Sequence, residues 1–318
     1  MAVREIRHRL PEAFLAQLDE AYSPLTVEKV LLGMSGRRDT TLRVNTLRAT
    51  VQDVAKQLQK QGIKFQRVPW YRDALDLKNA NERAIQKLPL YSEGGVYLQS
   101  LSSMLPPLFL APRPGERVLD VAAAPGSKTT QMAAVMENRG SLVAKETDAI
   151  RRERLAYNLN VQGVTIAQVL AGPGERLGAQ MPESFDRVLL DAPCSGEGRF
   201  LANRPITYRG WSEKAVHQCA KLQKKLLQSA CEALKPGGFL VYSTCTLNEE
   251  ENEEVLAWGL QTLPLKLMPP PVEVPGALPG RTGGRPASLQ YSVRILPSQT
   301  MEGFFAALLQ KKGKPNAS

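Results

Sequence analysis

The chain has 318 residues, 43% of them hydrophobic, which is enough for a packed core and for two domains or one large domain with an extension. No apolar run approaches the roughly 20 residues needed to cross a bilayer, and the basic segment 1–10 lacks an apolar signal core, so neither a membrane protein nor a secreted one is expected. Lys and Arg outnumber Asp and Glu by 41 to 31, a net charge of +10 that suits a polyanionic partner such as nucleic acid and equally an ordinary basic surface.

In chain order, residues 11–18 read as a short helix, with Pro11 pre-set for a first turn. The stretch 41–47 alternates apolar and polar residues, the pattern of a half-buried strand. Thr50 caps a helix carrying Val51, Val54, Ala55 and Leu58 and stopped by Gly62, and residues 63–68 form the next strand. This β-α-β unit carries Arg37, Arg38, Arg43, Arg48, Lys56, Lys60, Lys64 and Arg67. Residues 1–95 thus read as a small α+β module that either lies against a substrate or only stabilises the main domain. From residue 115 the texture changes: strands are expected at 117–121, 141–145, 166–170, 187–190 and 239–242, with helices after the first and at 149–161, 214–234 and 249–261. Strands alternating with helices predict a parallel, doubly wound α/β sheet over residues 96–318. Residues 291–296 and 304–309 look like closing strands, the Pro- and Gly-rich stretch 264–286 like a loop, and the tail 311–318 like a frayed end.

The turn Ala122-Ala123-Ala124-Pro125-Gly126-Ser127-Lys128 comes directly after the first strand of that sheet. Doubly wound sheets bind ligands beyond the carboxyl ends of their strands, near the switch point between the first and fourth. Small residues there let the backbone come close to a ligand. The pattern is neither GxGxxG nor GxxxxGK[ST], so a dinucleotide or P-loop reading is weak. An acid at the end of the second strand is where ribose hydroxyls bind, which makes Glu146 the candidate and Asp148 its neighbouring alternative. Asp148 also fits a plain helix N-terminal acid.

Four cysteines are too few for a disulfide framework in a chain this long, no CxxC pair points to zinc, and only His8 and His217 are available as histidines, so no metal is expected. Cys194 and Cys245 each lie just past the end of a strand, the fourth and the fifth. In the usual order those strands are neighbours, about 4.8 Å apart, so the two thiols should meet at the rim of the sheet. Cys219 and Cys231 fall in a helical stretch and read as packing residues. A thiolate is a good nucleophile towards an electron-poor ring, and the two thiols should be reduced in a cytoplasmic protein.

Three ordered motifs, Ala-Ala-Pro-Gly-Ser-Lys-Thr (123–129), Asp-Ala-Pro-Cys-Ser-Gly-Glu-Gly (191–198) and Tyr-Ser-Thr-Cys-Thr-Leu-Asn-Glu-Glu-Glu-Asn-Glu (242–253), closely resemble the Sun-type (NSUN) RNA cytosine-C5 methyltransferases. The likeness runs from Leu42 through Gln99 and Ser102-Ser103 to Gly303-Phe304-Phe305, most of the chain. It implies a Rossmann-like class I methyltransferase domain that uses S-adenosyl-L-methionine, preceded by a module with an RRM-like β-α-β core that binds RNA. Cys245 is implied as the nucleophile that adds to cytosine carbon 6, and Cys194 as the group assisting proton loss at carbon 5 and release. In the related DNA enzymes the Pro-Cys thiol attacks, so the division of roles rests on the resemblance. Asp191 is implied to hold the amino edge of the base, and Lys128 to reach towards the base. Ala122, Ala123, Ala124, Pro125, Gly126, Ser127, Lys128 and Glu146 are implied to hold the cofactor, with Asp191 and Arg151 near it.

The sequence also departs from the family. An Asp that many members carry after the third strand is missing from Ala171-Gly172-Pro173-Gly174-Glu175, so backbone groups or Glu175 take its place; Asp-Pro after the Pro-Cys loop is here Arg204-Pro205. The expected partner is RNA, ribosomal ahead of transfer RNA, with a target base in a loop or flipped out and N-terminal cations on phosphates. The alternatives are a tRNA enzyme and a weakly active RNA-binding ribosome-assembly factor. A monomer is expected.

Overall fold

The computed structural model describes residues 1–313. Its N-terminal sheet is formed by β1 (Thr40–Val44), β2 (Phe65–Val68), β3 (Tyr71–Leu77) and β4 (Val96–Leu98), in the order β2-β3-β1-β4 with every pair antiparallel. The expected β-α-β unit is present but split: β3 is inserted between β1 and β2, and the helix Val51–Lys60 connects them. That helix is capped by Thr50 Oγ1, which accepts from Asp53 N at 3.2 Å. Its Val54 and Leu58 pack on Leu42, Val44, Leu75 and Val96.

The other face of β1 is turned to the rest of the chain. Arg43, grouped in sequence with the surface cations, is buried and donates from Nε to Gln99 Oε1 (3.0 Å) and from Nη2 to Thr130 Oγ1 (2.9 Å). Asn45 Nδ2 donates to Gly94 O (2.8 Å) and Gln162 O (2.9 Å). Arg43 is therefore a bolt between the two parts, and β1 is buried on both faces rather than one. Lys56, Lys60, Lys64 and Arg67 remain exposed. Because β4 pairs with β1, the small sheet runs past residue 95. We propose drawing the division after Leu98.

The main sheet comprises β5 (Arg117–Asp120), β6 (Ser141–Glu146), β7 (Ala167–Ala171), β8 (Phe185–Asp191), β9 (Leu234–Thr244), β10 (Leu265–Met268), β11 (Leu278–Pro279), β12 (Val293–Ile295) and β13 (Phe304–Lys311). Its order is β11-β12-β13-β9-β8-β5-β6-β7, with β10 also on β13. The run β9-β8-β5-β6-β7 is parallel, and β13 joins β9 antiparallel. Strands covered by helices on both faces must be apolar throughout. Adjacent residues accordingly enter opposite cores: Val118, Leu189 and Val241 join Met104 and Met132, while Leu119, Leu190 and Leu240 join Leu227 and Leu256. Each fully buried side chain of this kind contributes about 1.5–3 kcal/mol.

The structure departs from the expected elements in four places. The stretch 264–286 is not all loop, because Leu265 and Leu267 alternate inward as β10 and pair with Leu309 and its neighbours. The helix expected from 249 begins at Glu253, since residues 249–252 are turns. The helix Leu101–Leu110 was hidden by Pro106 and Pro107. Pro107 cannot donate to Ser103 O, and Gln99 Nε2 does so instead at 3.1 Å. Of the expected loose tail, Lys311 closes β13, and residues 314–318 lie outside the described residues. The N-terminal helices Val3–Arg7, Glu12–Ala21 and Pro24–Gly33 pack through Ile6, Phe14 and Leu31 on Phe200, Ala202 and Leu247. They brace the two loops that carry Cys194 and Cys245.

Candidate active site

The carboxyl ends of β5, β8 and β9 border a cleft of about 1020 Å³. Its lining includes Ala122, Ala124, Pro125, Ser127, Lys128, Arg151, Asp191, Cys194 and Cys245. Asp191 is in register with Ser243, so the loops after the two strands leave the sheet side by side. Cys194 Sγ and Cys245 Sγ lie 3.3 Å apart, and both are free thiols. The hydrogen bond to Cys245, together with burial, pushes the Cys194 thiol well above the usual range. Cys219 and Cys231 both lie in the helix Glu213–Ala233, where burial pushes each thiol up to about 11.

A buried network fixes the Cys194 loop. Gln223 Nε2 donates to Pro193 O (2.9 Å) and to Glu251 Oε2 (3.0 Å). Glu251 also accepts from Ser195 N at 2.8 Å and from Ser195 Oγ. Burial pushes the Glu251 carboxyl up to about 7, and likewise Asp120 beneath the 122–128 turn. Both acids therefore bind a proton more tightly folded than unfolded. Their contribution to stability is fully present below the ordinary carboxylate pKa and is lost as pH rises through about 7. Glu251→Gln removes one of these titrations. The Tm of this variant relative to wild type should accordingly be more favourable at alkaline than at mildly acidic pH; a difference independent of pH would contradict the assignment.

Asp191 is held from both sides. Lys128 Nζ pairs with Oδ2 at 2.6 Å, and Ser243 Oγ donates to Oδ1 at 2.7 Å. Lys128 also donates to Ser103 Oγ at 2.9 Å. Both oxygens of Asp191 are thereby oriented at the cleft wall beside the thiols.

Across the cleft, the tight turn at Gly126 has φ +106°, and a Cβ there would meet Leu155 Cδ1 at 2.9 Å. The helix Ser127–Val135 starts at this turn, so unpaired N–H groups and the positive end of a helix dipole border the cleft. Ala123, Gly126 and Glu146 stand behind the lining. Glu146 is buried and pairs with Arg151 Nη1 at 3.3 Å, while Arg151 Nη2 donates to Ala124 O at 2.8 Å. Arg151 thus bridges the end of β6 and the small-residue turn. Asp148 Oδ1 caps the next helix, accepting from Arg151 N at 2.8 Å, and so fills the structural role. Glu175 is exposed and lies outside the cleft lining; Lys145 Nζ donates to Ala171 O at 2.7 Å at that strand end.

The model of the family "16S rRNA methyltransferase RsmB/F" matches residues 107–310, and that of the RsmF/B-like ferredoxin-like domain matches residues 10–83. The chain belongs to the RsmB/F family. It is 39% identical over 312 residues to the ribosomal RNA small subunit methyltransferase F of Escherichia coli O139:H28, an alignment covering 95% of this chain and 63% of that protein. The Shigella boydii serotype 18 protein of the same name is similar to the same degree. The chain thus spans 63% of the length of these curated relatives. Among solved structures, a methyltransferase homolog from Pyrococcus horikoshii is 34% identical, with a TM-score of 0.78, over 95% of this chain and all of that one. NSun6 from the same organism, solved with SFG, shares the fold, with a TM-score of 0.83 at 21% identity over 97% of this chain and all of that one.

The RsmB/F match accords with the Sun-type resemblance and with a Rossmann-like domain joined to a small α+β one. Ser243 and Glu251 were missed as site residues in the sequence. Each sits inside the 242–253 motif, where the density of acids after a strand end was the available signal.

Proposed function

We propose that this chain is an S-adenosylmethionine-dependent RNA cytosine-C5 methyltransferase acting on small-subunit ribosomal RNA. The observation that carries the reading is the pair of thiols 3.3 Å apart beside the Lys128–Asp191 pair. The class of RNA is that of the small-subunit ribosomal RNA methyltransferases the chain resembles. The rim of the same cleft carries Arg37, Arg83 and Arg204, none of which forms an ion pair with a described carboxylate. Such cations suit phosphates and fix the RNA without reading its sequence.

The cofactor fits the opposite wall on the chemistry of its residues. The turn presents only the small side chains of Ala122, Ala124, Pro125 and Ser127 to the cleft, so its backbone can be approached closely. We assign Glu146, at the end of β6 beside the turn, to the ribose hydroxyls, with Arg151 as its ion-pair partner. When bound, S-adenosylmethionine supplies an electrophilic methyl group.

Cytosine carbon 5 is a poor nucleophile until a nucleophile adds at carbon 6. The Sun-type resemblance of the motif around Cys245 supports it as the sulfur that adds, while the Cys194 thiol, pushed up by its hydrogen bond to Cys245 and by burial, serves as the proton-handling neighbour. Asp191, with both oxygens oriented, holds the amino edge and ring nitrogen of the base as charge shifts onto the ring. After methylation the bond from carbon 6 to Cys245 breaks as carbon 5 loses its proton: Cys194 hands its thiol proton to the departing Cys245 sulfur 3.3 Å away and takes the carbon 5 proton in its place.

Incubating the protein with methyl-labelled cofactor and small-subunit ribosomal RNA, then digesting to nucleosides, tests the reading. The expected product is labelled 5-methylcytidine. Label confined to another nucleoside, or none at all from a protein shown to bind the cofactor, overturns it.

A further inference from the structure

We propose that Arg199 is the cation that holds Cys245 as its reactive thiolate, a step beyond the proposed reaction that rests on Cys245 being the attacking sulfur. The turn Glu197–Arg199 is clamped against Cys245 from several sides. Gly198 N donates to Cys245 O at 3.0 Å. Gly303 N and Arg38 Nη2 donate to Gly198 O at 2.9 and 3.1 Å. A Cβ on Gly198 would sit 1.9 Å from Gly303 O, so only glycine lets the turn come this close. On the far side Phe200 is fully buried against Phe14, ring centroids 5.0 Å apart. The residues before and after it fix the backbone of Arg199, and the residue lines the cleft together with both thiols.

The charges around Cys245 leave this role to Arg199. From the loop after β8 comes Cys194, whose thiol is itself pushed up. The helix Glu213–Ala233 contributes Cys219, the loop before Glu253 contributes Glu251, and the segment before β13 contributes Glu302. All of these are acids or thiols that disfavour a further negative charge. Lys128 is spent on Asp191, and Arg38 is turned to the carbonyls of Gly198 and Phe200, with Arg199 and Glu302 as its charged neighbours. Arg199 forms no ion pair with a described carboxylate, and Cys245 is the largest influence raising it above the usual guanidinium range, with burial opposing and Glu302 and Cys194 adding. The interaction is reciprocal: a guanidinium held by a thiolate holds that thiolate.

Alkylation of Cys245 by iodoacetamide, measured peptide by peptide by mass spectrometry as a function of pH, tests this without RNA or cofactor. Failure of methyl transfer therefore leaves the result readable. In Arg199→Met and Arg199→Gln the pH midpoint of alkylation should move up by about one unit, making alkylation about tenfold slower at neutral pH. Arg199→Lys should stay near wild type. Continued protection of the buried Cys231 reports that a variant is folded. A folded neutral variant whose profile superimposes on wild type overturns the proposal. Weaker RNA retention with that unchanged profile would make Arg199 a phosphate contact instead.

Discussion

Replacing Cys194 with alanine is expected to leave the protein covalently joined to its RNA. In this variant Cys245 still adds to carbon 6 and the methyl group still arrives, but the neighbour 3.3 Å away that assists release is gone. The intermediate should accumulate as a band of slow mobility that survives denaturation and disappears on digestion of the RNA. Cys245→Ala should form no such band and should lose methyl transfer by on the order of 10⁴-fold or more, as removal of a covalent nucleophile does. The double variant should resemble Cys245→Ala. An adduct in Cys245→Ala and none in Cys194→Ala would reverse the roles. The expected order follows the Sun-type resemblance of the motif around Cys245, with the Cys194 thiol pushed up by the hydrogen bond between the two sulfurs and by burial.

Arg294→Leu is expected to destabilise the fold by about 3–5 kcal/mol, measured by urea denaturation, because it strands the fully buried Glu253 carboxylate. Arg294 Nε donates to Glu253 Oε1 at 2.5 Å and Nη2 to Oε2. Nη1 donates to Leu247 O and Tyr22 Oη, both at 2.8 Å. One guanidinium thus ties β12 to the helix after the catalytic loop, to that loop itself and to the N-terminal helices. A buried pair is worth far less than the damage done by breaking it, so the double variant Glu253→Leu/Arg294→Leu should recover much of the loss. A double variant as unstable as the sum of the singles would show that the two residues act independently.

The doubly wound half was the more legible in the sequence. The strands ending at Asp120, Glu146, Asp191 and Thr244 could be read because parallel strands buried on both faces are short, continuous apolar runs. Their order brought Cys194 and Cys245 together, as the usual order of a doubly wound sheet implied. What escaped depends on packing between parts distant in the chain. Arg43 has the composition of a surface cation, and only the approach of Thr130 and Gln99 shows it to be a buried bolt. The helix Leu101–Leu110 contains two prolines, which the local pattern counts against it and which Gln99 offsets. β10 was masked by prolines on either side, although Leu265 and Leu267 alternate as a strand requires. Arg199 carried no signal of its own and Glu251 only that of its acid-rich motif, since their place beside the thiols comes from Gly198 meeting Gly303 and from Ser195 meeting Glu251.

The proposed reaction depends above all on which sulfur bonds to the base. Peptide mapping by mass spectrometry of the RNA adduct trapped with Cys194→Ala reads that bond directly. A methylated cytosine attached to the peptide containing Cys245 is the predicted result. Attachment at any other residue, or methyl transfer that continues at the wild-type rate in Cys245→Ala, would contradict it.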